Sequence, residues 1–149
     1  MNGDPVPDVP LLAGMGGMDS SRSQTAHAGR RAILLSRNDN TSEYESLAST
    51  LGIEIVDMIT QRGKSNPRTY LGSGKLQEIA EEMEMSGPGH RWHRVDLVLI
   101  HDNLKSSQLV NINDVLMIET WDRVRLLLEL FTRHASSAEA RIQVRIARL

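Results

Sequence analysis

Apolar residues first cluster at Ala32-Ile33-Leu34-Leu35, a short continuous run of the kind that forms a strand covered on both faces. Polar Asn38 to Thr41 then turn the chain. Ser42 with Glu45 three residues on makes a capping-box pattern, and Tyr44, Leu47, Ala48 and Leu51 fall on one helical stripe that Gly52 ends. Ile53, Ile55, Val56, Met58 and Ile59 predict a second strand, followed by a polar loop from Gln61 to Pro67. Leu76, Ile79, Ala80 and Met83 repeat the helical stripe, so a second helix is expected from near Ser73, stopping before the breaker cluster Ser86-Gly87-Pro88-Gly89. Val95, Leu97, Val98, Leu99 and Ile100 give the clearest buried strand.

Leu109, Ile112 and Leu116 predict a short third helix running into a fourth strand over Leu116 to Ile118. Val124, Leu127, Leu128 and Phe131, widened by Leu126 and Leu130, predict a helix from about Asp122 to His134. Ser136 with Glu139 then opens another helix, whose stripe of Ala138, Ile142, Ile146 and Leu149 is still running at the last residue. Strands alternating with helices at this spacing predict an α/β domain: a small four-stranded, mainly parallel sheet flanked by helices, in the order 2-1-3-4. Residues 1–29, rich in Pro, Gly and Ser, show neither periodicity and are expected to form a disordered leader. The domain is assigned to residues 30–134 and the start of a further helical piece to 135–149.

A chain of 149 residues suits one domain, and with two Trp, two Tyr and one Phe its core must be mainly aliphatic. The net charge of -2 singles out no partner, but its distribution is uneven. Residues 122–149 hold six arginines against three acids, leaving that end at +3 and the remainder at -5. Cysteine is absent, which excludes disulfides and thiolate chemistry and fits a cytoplasmic protein. No apolar run reaches the length of a membrane span.

Gly72-Ser73-Gly74-Lys75 before a predicted helix looks superficially like a nucleotide loop. A Walker loop, however, needs a glycine where Thr69 stands and Ser or Thr where Leu76 follows Lys75. Independent GTP hydrolysis is therefore not expected; weak binding of a phosphate or nucleoside triphosphate at Gly72, Ser73, Gly74 and Lys75 is the alternative reading. His90 and His93 fall short of a zinc pattern and are expected in a solvated loop with Trp92 between them. His101-Asp102 closes the third strand without a nucleophile in register, and Asp102 or Asn103 is expected to cap the next helix. Arg62, Lys64, Arg68 and Lys75 make a basic loop region suited to phosphate contact, with Tyr70 available for stacking. No catalytic residue, metal ligand or cofactor site is assigned.

Three blocks carry a family resemblance. VDMITQRGKSNPRTYLGSGKLQEI resembles the strand, T-Q-R turn and T-Y-[IL]-G-x-G-K-x-x-E-[IL] signature of the HflX GTPases. VDLVLIHDNLKSSQLVNINDVL is similar to that family's strand, acidic turn and Ser-x-x-Gln helix, and WDRVRLLLELFTRHASSAEARIQVRIARL to its Asp-Arg-x-x-Leu segment and following helix. The resemblance covers residues 31–149 and implies the N-terminal domain of a ribosome-associated GTPase. On that reading the final stripe is the first helix of a truncated helical hairpin, and a GTPase domain using GTP and Mg2+ is expected downstream. The partner implied is the large ribosomal subunit and its RNA, with Arg62, Lys64, Arg68, Lys75, Arg133, Arg141, Arg145 and Arg148 as contact candidates. The sequence departs from the family in the longer turn MSGPGHRWHR and at Arg148, where many relatives carry glutamine.

Overall fold

The computed structural model describes residues 26–133. Its elements are β1 (Arg31–Ser36), α1 (Ser42–Thr50), β2 (Glu54–Thr60), α2 (Ser73–Glu84), β3 (Val95–Ile100), α3 (Ser106–Leu116) and β4 (Glu119–Trp121). A last helix, α4, occupies residues 123–133. The four strands form one parallel sheet in the order β2-β1-β3-β4, as the alternation of strands and helices predicts. Residues 29–126 form one compact unit containing this sheet; among the described residues, 26–28 and 127–133 belong to a second, in which His27 Nε2 lies 2.8 Å from Glu129 Oε1.

The central strands are apolar throughout because both faces are covered. Ile33 and Leu35 of β1 alternate with Ala32 and Leu34, and Val98 and Ile100 of β3 with Leu97 and Leu99; all eight are fully buried. One face joins Ile33, Leu35, Val98 and Ile100 to Leu76 and Ile79 of α2 and Ile112 and Leu116 of α3. The chain reverses direction across the sheet after β2, so right-handed connections put α1 and α2 on opposite faces.

At the β2 edge, Ala32 pairs with Ile55 and Ile33 with Asp57, leaving Val56 as the extra residue of a bulge. Asp57 Oδ1 accepts the Met58 amide at 2.9 Å, and Asp57 Oδ2 receives both Trp92 Nε1 and Arg91 Nε at 2.7 Å. Burial disfavours the charged carboxylate, but the Trp92 and Arg91 donors outweigh it and hold Asp57 below the ordinary carboxylate range.

Several local expectations are corrected. The fourth strand is Glu119–Trp121, not Leu116 to Ile118. Met117 adopts the left-handed region at φ 56°, closing α3, and its amide reaches Asn113 O at 2.7 Å. Asn113 Nδ2 then donates to Ile118 O at 2.8 Å, so these residues are a turn. At α1 the residue before the helix is Thr41, whose hydroxyl donates to Glu45 Oε2 at 2.8 Å; the Ser42 box does not form. Neither Asp102 nor Asn103 caps α3, which is preceded by Lys105, with Lys105 N donating to Gln108 Oε1 at 3.0 Å. Asp122 instead caps α4, its Oδ1 accepting Arg125 N at 3.0 Å while Oδ2 takes Leu104 N at 3.1 Å. Trp92, expected in a solvated loop, is 2% exposed: its apolar rings gain more from the core than from water, and Asp57 satisfies its one donor.

Candidate functional site

In an open parallel sheet, the residues just beyond the carboxyl ends of the strands are gathered along one edge. Here that edge carries Ser36 at the end of β1 and Arg37 after it, Gln61 and Arg62 after β2, His101 and Asp102 after β3, and Asp122 after β4. The loop from Gln61 to Gly72 is folded onto it by side chains from three other segments.

Arg37 supplies the first clamp: Nη1 donates to Gln61 Oε1 at 2.9 Å, Nε to Gly63 O at 3.2 Å, and Nη2 to Lys64 O. Gln61 Oε1 also accepts the Gly72 amide at 2.7 Å, closing the loop's two ends on each other. Asn66 Oδ1 accepts the amides of Arg68 and Thr69 at 2.8 and 3.1 Å, the turn that an Asn-Pro pair favours. Asn66 and Tyr70 exchange backbone hydrogen bonds of 2.8 and 2.9 Å in an antiparallel bridge. From α3, Gln108 Nε2 donates to Asn66 O and Asn111 Nδ2 to Arg68 O, both at 2.9 Å.

Tyr70 anchors the loop from below. It takes a left-handed φ of 68°, uncommon for a bulky residue, and is 1% exposed, with its hydroxyl donating to Asp102 Oδ2 at 2.5 Å. Burial, reinforced by the Asp102 carboxylate, pushes the phenol far above its ordinary pKa. Tyr70 is therefore no stacking platform, contrary to the sequence expectation: its ring is core and its hydroxyl is spent.

The structure brings Arg62, Lys64 and Arg68 onto this one loop and places Lys75 in the first turn of the helix that follows. Arg62 forms an exposed ion pair with Asp39, and Lys75 Nζ lies 3.7 Å from Glu78 Oε1. Lys64 and Arg68 are exposed, and neither side chain is ion-paired among the described residues. In the Gly72 to Lys75 segment, the Gly72 amide is already taken by Gln61, whereas a Cβ at Gly74 would meet nothing within 4 Å. Arg133, in the last described turn of α4, is partly buried and has partners. Arg141, Arg145 and Arg148 lie outside the described residues.

The sequence reading missed Arg37, Gln61, Asn66, Gln108 and Asn111, which shape the loop. Only Asn66-Pro67 carried a local turn signal; the others act across 11 to 43 residues and become visible only once the strands are ordered.

On the other face of the edge, Ser36 Oγ donates to Asn38 O at 2.6 Å and lies 3.1 Å from His101 Nδ1. With its one proton committed to that carbonyl, Ser36 accepts from His101, so Nδ1 carries the imidazole proton. Tyr44 meets the His101 ring edge-on at 5.4 Å, and its buried hydroxyl has no hydrogen-bond partner among the described residues. Burial, then the neighbouring Asp122 charge, pushes the Tyr44 phenol well above its ordinary pKa. Ser36 and His101 hold each other in place and, among the described residues, no carboxylate orients the ring, so the pair lacks there the arrangement of an activated nucleophile. Among the described residues no group of acidic or imidazole side chains is disposed to hold a metal, and no helix is long and apolar enough to cross a membrane.

Residues 38–132 match the family model for the GTP-binding GTPase N-terminal domain. The fold is that of solved SsGBP structures: the SsGBP and GDP complex superposes with a TM-score of 0.58 at 26% identity, over 80% of this chain and 34% of that one. The variant G235S of the same protein gives 0.59 at 26% identity, over 80% and 38%. The class is thus the N-terminal α/β domain of a GTP-binding GTPase. Among curated proteins, the chain is 35% identical over 121 residues to the GTPase HflX of Caldanaerobacter subterraneus, covering 79% of this chain and 27% of that protein. It is 30% identical over 130 residues to the Escherichia coli GTPase HflX, covering 82% and 29%. The chain belongs to the HflX family and spans about a quarter of the length of these relatives.

Proposed function

We propose that this chain is the ribosome-docking and RNA-binding module of a HflX-type GTP-binding protein acting on the large ribosomal subunit, with GTP and Mg2+ handled by a domain downstream of it. The observation that carries the proposal is the loop from Gln61 to Gly72, whose backbone is fixed by Arg37, Asn66, Gln108 and Asn111 while Lys64 and Arg68 stay exposed. Cations on a fixed backbone meet phosphates without the ordering cost that a floppy loop incurs. The basic C-terminal stretch with Arg133, Arg141, Arg145 and Arg148 extends the same chemistry. On this reading the domain contributes binding, and the chain itself is not the enzyme.

The test is co-sedimentation of the chain with purified large ribosomal subunits across a salt series. Retention should fall steeply as salt rises, and the double variant Lys64→Ala/Arg68→Ala should reduce the slope of log K against log salt by about two, roughly one per lost phosphate contact. Retention that ignores salt, or a double variant with the parental slope, overturns the loop as the docking element.

A further inference from the structure

Helices α2 and α3 lie side by side on one face of the sheet and share a core through Leu76, Ile79, Ile112 and Leu116. Each runs back from the carboxyl ends of the strands, so the two are parallel and both finish at the border where the strands begin, away from the Gln61 to Gly72 loop. Their outward surfaces carry Met85 and Met117, at 79 and 80% the most exposed large apolar side chains among the described residues, with Val110 at 57%.

Neither methionine serves the fold. Met117 takes the left-handed conformation that closes α3, φ 56° and ψ 36°, where a glycine would be free of the strain that a side chain brings. Its side chain gains no burial in return. Met85 follows the last residue of α2 with its side chain equally in water. Charge at this end also runs against the helices. A helix terminus of this polarity favours cations, yet neither helix has a base in its last turn. Exposed acids stand there instead, Glu81 and Glu84 on α2 and Asp114 on α3, none ion-paired among the described residues. Of the arginines in the turn after α2, Arg91 is taken by Asp57, which leaves Arg94 against three acids.

Residues that cost the fold and contact nothing within it are explained by what they meet outside. We infer that the outer face of α2 and α3 docks a basic amphipathic helix of another protein, its apolar stripe on Met85, Met117 and Val110 and its lysines and arginines among Glu81, Glu84 and Asp114. Charge complementarity selects that occupant. The acids and the two negative helix ends repel RNA, and a second copy of this chain at a two-fold contact would set the same acids against themselves. Methionine suits the task, being unbranched and polarizable enough to adapt to a partner's side chains. A third helix laid over two neighbours is an ordinary packing, and apolar anchors ringed by opposite charge are how such a helix is held. The surface lies at the opposite end of the domain from the basic loop, and the inference does not depend on the RNA-binding reading.

The probe is a synthetic leucine/lysine amphipathic helix, with a leucine/glutamate helix of equal length as control. In the full chain carrying labelled methionine methyls, the lysine peptide should shift the Met85 and Met117 signals and leave that of Met58, 45% exposed on β2, in place. Binding should weaken as salt rises. Met117→Gly should raise the urea midpoint by relieving the left-handed strain while weakening peptide binding about tenfold, a split that a residue serving the fold would not give. Glu81→Lys/Asp114→Lys should move the preference towards the glutamate peptide. The inference is wrong if neither methionine signal moves at millimolar peptide, if the two peptides act alike on the parent chain, or if Met117→Gly binds as the parent does. It is equally wrong if the signals move on concentrating the chain alone, which would make a second copy the occupant. None of these outcomes touches the salt-dependent co-sedimentation, so the two proposals fall separately.

Discussion

Replacing Tyr70 with phenylalanine removes one oxygen from the loop's anchor and leaves the ring packed. The atom lost donates at 2.5 Å to Asp102 Oδ2, and the phenol that carries it is 1% exposed. A hydrogen bond to a charged acceptor contributes about 1.5–3 kcal/mol. Asp102 is only partly buried, so water replaces some of what its carboxylate loses, and the lower end applies, about 1.5 kcal/mol. In a domain of roughly 100 residues that corresponds to about 6–12 °C in Tm. Asp102→Asn keeps a neutral acceptor and should lose about half as much. Thermal unfolding followed by circular dichroism measures both, and hydrogen exchange should show faster opening at Asn66 and Tyr70, whose amides close the antiparallel bridge. A Tyr70→Phe chain within about 0.5 kcal/mol of the parent, with unchanged exchange at those amides, would refute the view that Asp102 holds the loop down through the Tyr70 hydroxyl.

Gly74→Ala places a methyl in open space at a helical position without positive φ, so it should stabilise the chain by about 0.5–1 kcal/mol, measured by urea unfolding; a loss of stability would mean that the glycine serves the fold. Trp92→Ala should cost about 3–5 kcal/mol by the same measurement, and the milder Trp92→Phe should move the NMR-detected Asp57 titration up towards the ordinary carboxylate range, since the indole donor is gone. Both tyrosines of the chain are buried with raised pKa values, so the folded state keeps protons that the unfolded state gives up above a pH of about 10. Their contribution to stability is complete below that pH and is lost as pH rises. Tyrosinate absorbance at 295 nm should therefore appear together with loss of the circular dichroism signal, and ionisation at ordinary pH in a still-folded chain would contradict the burial.

The elements legible in the sequence are those whose burial alone dictates a pattern. β1 and β3 are covered on both faces and read as apolar runs, and α2 buries Leu76 and Ile79 on the predicted stripe. Parallel order follows, because each strand pair is separated by a helix. β4 escaped because its three residues, Glu-Thr-Trp, are too few to show a period and the left-handed turn at Met117 has no glycine to announce it. Trp92 and Tyr70 were misplaced for one shared reason. Each sits in a polar, glycine-bearing stretch that reads as solvated, yet each finds a carboxylate, Asp57 or Asp102, 32 or more residues away, and no local window contains that partner. The basic loop was legible as charge; its rigidity was not, because the clamps are contributed by Arg37, Gln108 and Asn111.

Asp57 spends its two carboxylate oxygens in different directions, and the Met58 side of that arrangement bears on how the molecule behaves in company. An open sheet has two borders, and β4 presents only three residues at one of them, whereas β2 presents seven at the other. Midway along the longer border the ladder is interrupted at Val56, and two residues on, the Met58 amide is occupied by the carboxylate of Asp57 beside it. An intruding strand from another molecule would find no continuous template there. Exchanging Asp57 for an uncharged residue would therefore do more than release Trp92: at high concentration it would remove a guard against fibrillar self-association.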